Sequence, residues 1–481
     1  MTAQTILPAN SVLDTGFSVA NSARFEGVTP DSLRLAAAGN DGDQKHWTVS
    51  MWIKRSKLAT LQHVWSWSRN NTNAEGGFAF DTNDQIFFIS DGQNGGTNEI
   101  DGVFRDTSAW FHLVWSCDAD NGTNALRWRV YINGVERAIT GDPTIQDANG
   151  IVNRGSSQEH WIGGRSRSLN SNTDDAPFSG YIAEVVFIDD ATLAPTSFGE
   201  FDEDSGIWKP LKSVEDLTFG AKGYYLNFQD SAELGTDVSG NDYDFAETGL
   251  TAIDQSTDTC TNNFATYNPL QVQIGTANEP VFREGNLHIH GSTTGAILFH
   301  AASTIGVSKG KWYAEFKGGS ASNQNGMVGV TYDPGEDARN DDYPGEQSHS
   351  YGYYVNGNKY TSDNAASYGD AWTTDIIGVA LDLDNHKLYF SKNGTWQNSG
   401  DPESGSTGTG SAFDLTTGQT YFFATGDGNA TYVNPFEANF GGCSVSAISS
   451  GNADGDGFGN FEFAVPSGYF ALCTKNLAEY G

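Results

Sequence analysis

Three observations on this 481-residue chain predict an all-β protein made of two β-sandwiches joined by an irregular linker. Apolar and polar residues alternate over runs too short for helices. Clusters of Gly, Asn and Asp separate those runs, and 57 glycines supply them. The aromatic content is high, with 29 Phe and 12 Trp, as pleated, half-buried surfaces favour. The length suits two or three domains with sizeable cores.

Sixty acidic against 26 basic residues give a formal charge of −34. Such a surface repels nucleic-acid phosphates and argues against direct nucleic-acid binding. It supports solubility, and salt screens it readily. The opening MTAQTILPANSVLDTG has neither a basic region nor an apolar run, so no secretory signal is expected, and no stretch is long enough to span a bilayer. Cys117, Cys260, Cys443 and Cys473 are widely spaced with no Cys-x-x-Cys pair, which predicts free, mostly buried thiols and no structural zinc site.

In chain order, residues 1–21 form an N-terminal segment and 22–205 a first sandwich. In HWTVSMWIKR, Trp47, Val49, Met51 and Ile53 alternate with polar residues. HVWSWS, GGFAFD, QIFFIS, WFHLVWSC, LRWRVYINGVE and FSGYIAEVVFID follow as further strands, with a tight turn at Asn133-Gly134. Trp47, Trp52, Trp65, Trp67, Trp110 and Trp115 all fall in such runs, which suits core packing. Residues 206–285 read as an irregular linker region, with one short helix in FGEFDEDSGIWKPL before Pro210, a strand in GYYLNFQDSA, and an exposed, turn-rich LGTDVSGNDYDF.

Residues 286–448 form a second sandwich, organised around DIIGVALDLDNHKLYFSKNGTW. There Ile377, Val379, Leu381 and Leu383 share a face, Leu388 and Phe390 oppose them, and turns fall at Asp384-Asn385 and Asn393-Gly394. One side of this hairpin is expected to be core. Residues 449–481 are a C-terminal segment.

These motifs carry resemblances. The strands at Trp47–Arg55, Trp110–Trp115, Val130–Gly134 and Phe178–Asp189 resemble the laminin-G-like, concanavalin-type jelly roll. The elements Gly310–Glu315, Val328–Val330, Tyr351–Gly357 and Ile377–Gly394 resemble the SPRY family, which implies a binding module with no active site, recognising partners through loops. The whole arrangement, with LNFQDSAELGTDVSGN and TNNFATYNPL between the two, is similar to virion structural proteins of tailed phages, particularly marine ones. That resemblance implies a virion-surface location, other virion proteins as partners, and a trimer or symmetric array. It also implies particle attachment through residues before about 250.

Candidate functional residues are few. Tyr343, Tyr351, Tyr353, Tyr354, Tyr360 and Tyr368 lie in a Gly/Asn/Ser-rich region, where tyrosines among small polar residues suit recognition of a partner or host glycan. Packing of the same rings against a sheet is the plainer alternative. Asn452, Asp454, Asp456 and Asn460, with Gly457, repeat the opening of an EF-hand loop, so calcium is the cofactor they would take. Phe463 stands where that loop needs a bidentate Glu, and a solvated acidic turn is the alternative. His288 and His290 share one strand face at ligand-like spacing. The phage resemblance implies that a trimer could complete a metal site around such a pair.

Enzyme signatures are missing. Glycan-cleaving sandwiches carry closely spaced carboxylates on one strand, and here Glu184 is isolated while Asp382 and Asp384 sit at a turn. No Gly-x-Ser-x-Gly, His-Glu-x-x-His or phosphate loop occurs. The phage resemblance implies a non-enzymatic structural protein of a tailed-phage virion with a binding role. A free bacterial lectin-like adhesin and a glycan hydrolase are the alternatives.

Overall fold

The computed structural model describes residues 17–27, 31–36, 45–69, 74–89, 98–140, 158–166, 176–271, 280–291, 299–318, 325–340, 342–428 and 434–481. Residues 1–16 of the N-terminal segment, residues 272–279 of the linker region and Asp341 lie outside these. The described chain is nearly all β, and it divides into two compact units, Asp14–Thr261 and one dominated by Asn262–Gly481.

The first unit stacks two antiparallel eight-stranded sheets. One runs Val135–Arg137, Trp128–Ile132, Phe111–Asp118, His46–Arg55, Ser179–Asp189, Ser22–Glu26 and Gln255–Ser256, with Tyr224–Leu226 also beside Ser179–Asp189. The other centres on Gln62–Arg69 between Ala74–Phe80 and Gln158–Ile162. Alternation decides what lies between them. Trp47, Val49, Met51 and Ile53 point inward with Trp65, Trp67, Phe78 and Phe88, and all are buried. Trp115 is the hub, edge-on to Trp47 at 4.8 Å and to Phe88 at 4.7 Å. The Asn133-Gly134 turn has φ of 48° and 76°, the two positive values of a type I′ hairpin, and closes Ile132 onto Val135.

The outer face of the first sheet is also covered. Val114, Val186, Ile188 and Tyr225 pack beneath Phe198, Val214 and Phe219 in a second cluster. Much of the region expected to be linker is thus part of this unit. Tyr224–Leu226 and Gln255–Ser256 extend one sheet, and Ala246–Thr248 extends the other. The buried Asp258 carboxylate accepts from Lys54 Nζ at 2.7 Å and Trp110 Nε1 at 2.9 Å, locking the segment to the sheet.

The stretch FGEFDEDSGIWKPL holds no helix before Pro210. Gly199–Phe201 pairs with Trp208–Pro210 as a ribbon, because the Asp202 carboxylate accepts from the backbone and hydroxyl of Ser205 and turns the chain back. LGTDVSGNDYDF is not simply exposed either. Asp237 accepts from the N–H groups of Tyr225, Ser239 and Tyr243, and Leu234 and Phe245 enter the core.

The second unit is also a sandwich. One sheet has the order Val281–Arg283, His288–His290, Phe436–Asn439, Lys311–Gly318, Ile376–Asp382, Lys387–Lys392 and Thr395–Trp396. The other runs Phe299–Ala302, Phe422–Asp427, Gly326–Thr331, Ser350–Tyr354, Asn358–Thr361 and Asn364–Ser367. Val379 opposes Phe390 and Leu381 opposes Leu388, all fully buried, as the alternation predicts. Asn393-Gly394, with φ of 46° and 77°, is a second type I′ turn.

The Asp384-Asn385 turn differs from expectation. Asp382 pairs with Lys387, its carboxylate accepts from Asn385 N, and His386 is the residue with positive φ. A four-residue loop therefore replaces a two-residue one. The hairpin is also buried on both faces. Tyr313, Ala380 and Tyr389 pack against Phe264, Phe461, Tyr469 and Cys473, so residues 449–481 complete this unit rather than trail from it. Phe470–Ala471 joins the sheet in parallel with Lys311–Gly318. All four cysteines are free and buried.

Candidate functional site

The six tyrosines separate into two sets. Ser350–Tyr354 is an inner strand, so alternate residues meet the core. Tyr353 is fully buried and stacked on Phe390 at 5.2 Å, with its hydroxyl donating to Asp370 O. Tyr351 and Tyr368 are each 6 % exposed, against Phe413 and Phe390 respectively. Burial pushes the Tyr353 and Tyr368 phenols well above their ordinary range. These three rings are core, which corrects their place in a contact surface.

Tyr343, Tyr354 and Tyr360 are half-buried and close together. Tyr354 meets Tyr360 edge-on at 5.4 Å, its hydroxyl donating to Asn325 Oδ1 at 2.5 Å. The Tyr343 hydroxyl donates to Asp363 Oδ1 at 2.9 Å. The edge hairpin Asn358–Thr361 and Asn364–Ser367 contributes Tyr360 to this cluster, and its outer strand is exposed along its length. Rigid, partly exposed rings whose hydroxyls are pre-oriented make a contact surface that loses little entropy on binding. Sequence reasoning missed Asn325 and Asp363, which hold two of the hydroxyls, because neither lies near its partner in the chain.

The loop read as EF-hand-like is a hydrogen-bonded hub. Asp454 Oδ1 accepts from Asp456 N at 3.0 Å and Phe458 N at 2.9 Å, and Oδ2 from Ala471 N at 2.9 Å and Asn476 Nδ2 at 2.8 Å. Its lone pairs are thereby committed to N–H donors instead of a cation. Asn452 donates its side-chain amide to Glu462 O, and Asn460 and Asp456 are exposed. The Glu462 carboxylate is taken up by Ser449 N. These bonds account for the loop's geometry. His288 and His290 do share a face, with rings 5.6 Å apart, and His290 Nδ1 lies 2.7 Å from Gly291 O.

In the first unit Ser50, His112 and Glu184 line one small cavity with Trp52 and Val186. A β-bulge between Ala183 and Val186 turns Glu184 onto the covered outer face of the sheet, with φ of 53°. The trio is not a nucleophile relay. The Trp208 indole, which can only donate, lies 3.0 Å from His112 Nδ1, so the ring proton sits on Nε2 and is donated to Ser50 Oγ at 2.8 Å. His112 therefore has no lone pair facing the hydroxyl. Burial lowers its pKa to about 3 and keeps the ring neutral. Glu184 accepts from the Tyr225 hydroxyl at 2.5 Å and is structural rather than solvated.

Family comparisons agree with this architecture. Residues 29–195 match Laminin_G_3, described as the Concanavalin A-like lectin/glucanases superfamily, and residues 309–425 match the SPRY domain. Comparison with curated proteins returned no match. Among solved structures the chain is similar to the SPRY domain of human HERC1, at 16 % identity and TM-score 0.29, covering 38 % of this chain and 99 % of that one. It is also similar to a heptameric SAP-like pentraxin from Limulus polyphemus, at 13 % identity and TM-score 0.29, covering 37 % and 80 %. The chain thus contains a concanavalin-like domain and a SPRY domain, folds that commonly mediate binding.

Proposed function

We propose that the protein is a non-enzymatic structural component of a tailed-phage virion surface, whose SPRY-containing unit contacts a host glycan or partner through Tyr343, Tyr354 and Tyr360. The single observation that carries the contact site is the half-exposed tyrosine cluster at the open edge of a sheet. The virion assignment rests on the motif order, a laminin-G-like jelly roll followed by LNFQDSAELGTDVSGN, TNNFATYNPL and a SPRY-like sandwich. In this reading, residues before about 250 attach to other virion proteins and the protein assembles as a trimer or symmetric array. His112, tied down by Trp208, supports the non-catalytic part of the proposal.

The test uses particles carrying Tyr343→Ala, Tyr354→Ala and Tyr360→Ala. Adsorption or glycan binding should weaken about tenfold or more, as loss of aromatic contact residues does. Stoichiometric incorporation into the particle, seen by electron microscopy, should be unchanged. Incorporation lost with adsorption spared would reverse the proposed orientation, and absence of the protein from purified particles would end the virion assignment.

A further inference from the structure

We propose that the second unit binds a divalent transition-metal ion between His300, Asp337, Asp342 and His349. Asp337, Asp342 and His349 come together in one largely buried group, and His300 reaches it beside Asp337. His300 lies on the edge strand Phe299–Ala302, Asp337 on the short helix Pro334–Asn340, Asp342 just beyond that helix, and His349 at the entrance to Ser350–Tyr354. One ligand atom each from Asp337, Asp342 and His349 lie within 4.8 Å of one another. His349 Nε2 is 2.7 Å from Asp337 Oδ1, and His300 Nε2 is 3.4 Å from Asp337 Oδ2. A tetrahedral ion with bonds of about 2.0–2.1 Å separates its donor atoms by about 3.3 Å. The spacings among Asp337, Asp342 and His349 run from 2.7 Å to at most 4.8 Å, so seating an ion requires shifts of up to about 1.5 Å.

Two observations point to a missing ligand rather than a self-sufficient polar cluster. The first concerns unmade hydrogen bonds. His300 is 3 % exposed and neither ring nitrogen makes one, and Asp342 is 4 % exposed with its Oδ2 equally unpartnered. A buried polar atom left without a partner costs about 1–3 kcal/mol, so two such residues facing one carboxylate need an explanation.

The second is charge. Asp337 is fully buried, and no ion pair among the described side chains brings a Lys or Arg to it or to Asp342. Asp333 and Glu346 add further negative potential. With both imidazoles neutral as metal ligands, the two buried carboxylates would balance a divalent cation.

The surroundings already orient the ligands. Thr331 Oγ1 donates to Asp337 Oδ2 at 2.5 Å, and Gln347 Nε2 donates to Asp342 Oδ1 at 3.2 Å, leaving Oδ2 free to coordinate. Two imidazole nitrogens with two carboxylate oxygens suit zinc, cobalt or nickel, whereas calcium and magnesium prefer all-oxygen shells. No local motif announces the site, since His300 is far from the Asp337-to-His349 segment in sequence and meets it only through sheet pairing.

The full chain is stripped with chelator, dialysed and titrated with zinc, with bound metal counted by mass spectrometry and melting followed in parallel. One tightly held zinc per chain and a higher Tm with zinc than with chelator are expected. Asp342→Asn and His349→Gln, which keep the side-chain shape, should bind at least tenfold more weakly and lose the Tm response. A His288→Gln/His290→Gln double variant should bind like the parent. Cobalt substitution should give the intense visible absorption of a four-coordinate site. No retained zinc and no Tm response in the parent chain would overturn the proposal. So would undiminished binding in the two site variants, or binding that disappears with the His288/His290 pair.

Discussion

Replacing Gly134 or Gly394 by valine is expected to destabilise the unit that carries it by about 3 kcal/mol or more. Both glycines sit at positive φ, 76° and 77°, where a β-branched side chain costs about 1–3 kcal/mol. The surroundings add a second penalty. A Cβ at Gly134 would lie 2.3 Å from the Trp208 ring, and one at Gly394 would lie 2.6 Å from the Phe463 ring. Relieving such overlap costs about 1–3 kcal/mol more. Calorimetry or denaturant melts on each variant would check this. Parent-like stability in both variants would show that neither turn constrains its hairpin.

Glu184→Gln should do the opposite, stabilising the first unit above neutral pH. Burial raises the Glu184 carboxyl to about 7, although the Tyr225 hydroxyl donates to it and favours the anion. In the unfolded chain the group titrates in the ordinary glutamate range, near 4.5. The folded state thus holds the proton more tightly, and the stability this confers is fully present below about 4.5 and lost as pH rises through about 7. The gap amounts to about 3 kcal/mol at about 1.4 kcal/mol per pH unit. The glutamine variant should match the parent at pH 4.5 and exceed it at pH 8, because the amide oxygen still accepts from Tyr225. Identical pH slopes in variant and parent would refute the buried, proton-holding state. Glu315, raised to about 7 in the same way, leaves a residual slope from the second unit.

The difference between these two predictions tracks what a linear sequence reveals. Asn133-Gly134 and Asn393-Gly394 were legible because a type I′ turn is a two-residue property, and few residue pairs other than Asn-Gly accept positive φ twice. Glu184 was legible only as a lone acid in an apolar strand. Its burial on the covered outer face comes from a bulge, which an alternating pattern hides. The tyrosines show the same limit. A run such as YGYYVNG reads as a recognition loop or as a strand, and only the neighbouring strands decide that Tyr351 and Tyr353 are core while Tyr354 faces outward. In the metal candidate Asp337, Asp342 and His349 are close in sequence but form no recognised motif, and His300 joins them only through the fold.

The sequence by itself determined the all-β class, the two sandwiches, their inner faces and the tight hairpins, because period-two alternation and turn chemistry are local consequences of backbone sterics and side-chain burial. Only the tertiary structure decided that most of residues 206–261 and residues 449–481 belong to the sandwiches. Those segments have little regular structure of their own. They are held because the outer face of a sheet in each unit is apolar and must be covered, by Val214 and Phe219 in the first and by Phe461, Tyr469 and Cys473 in the second. Covering a face depends on which distant residues reach it, and that is a property of the folded chain.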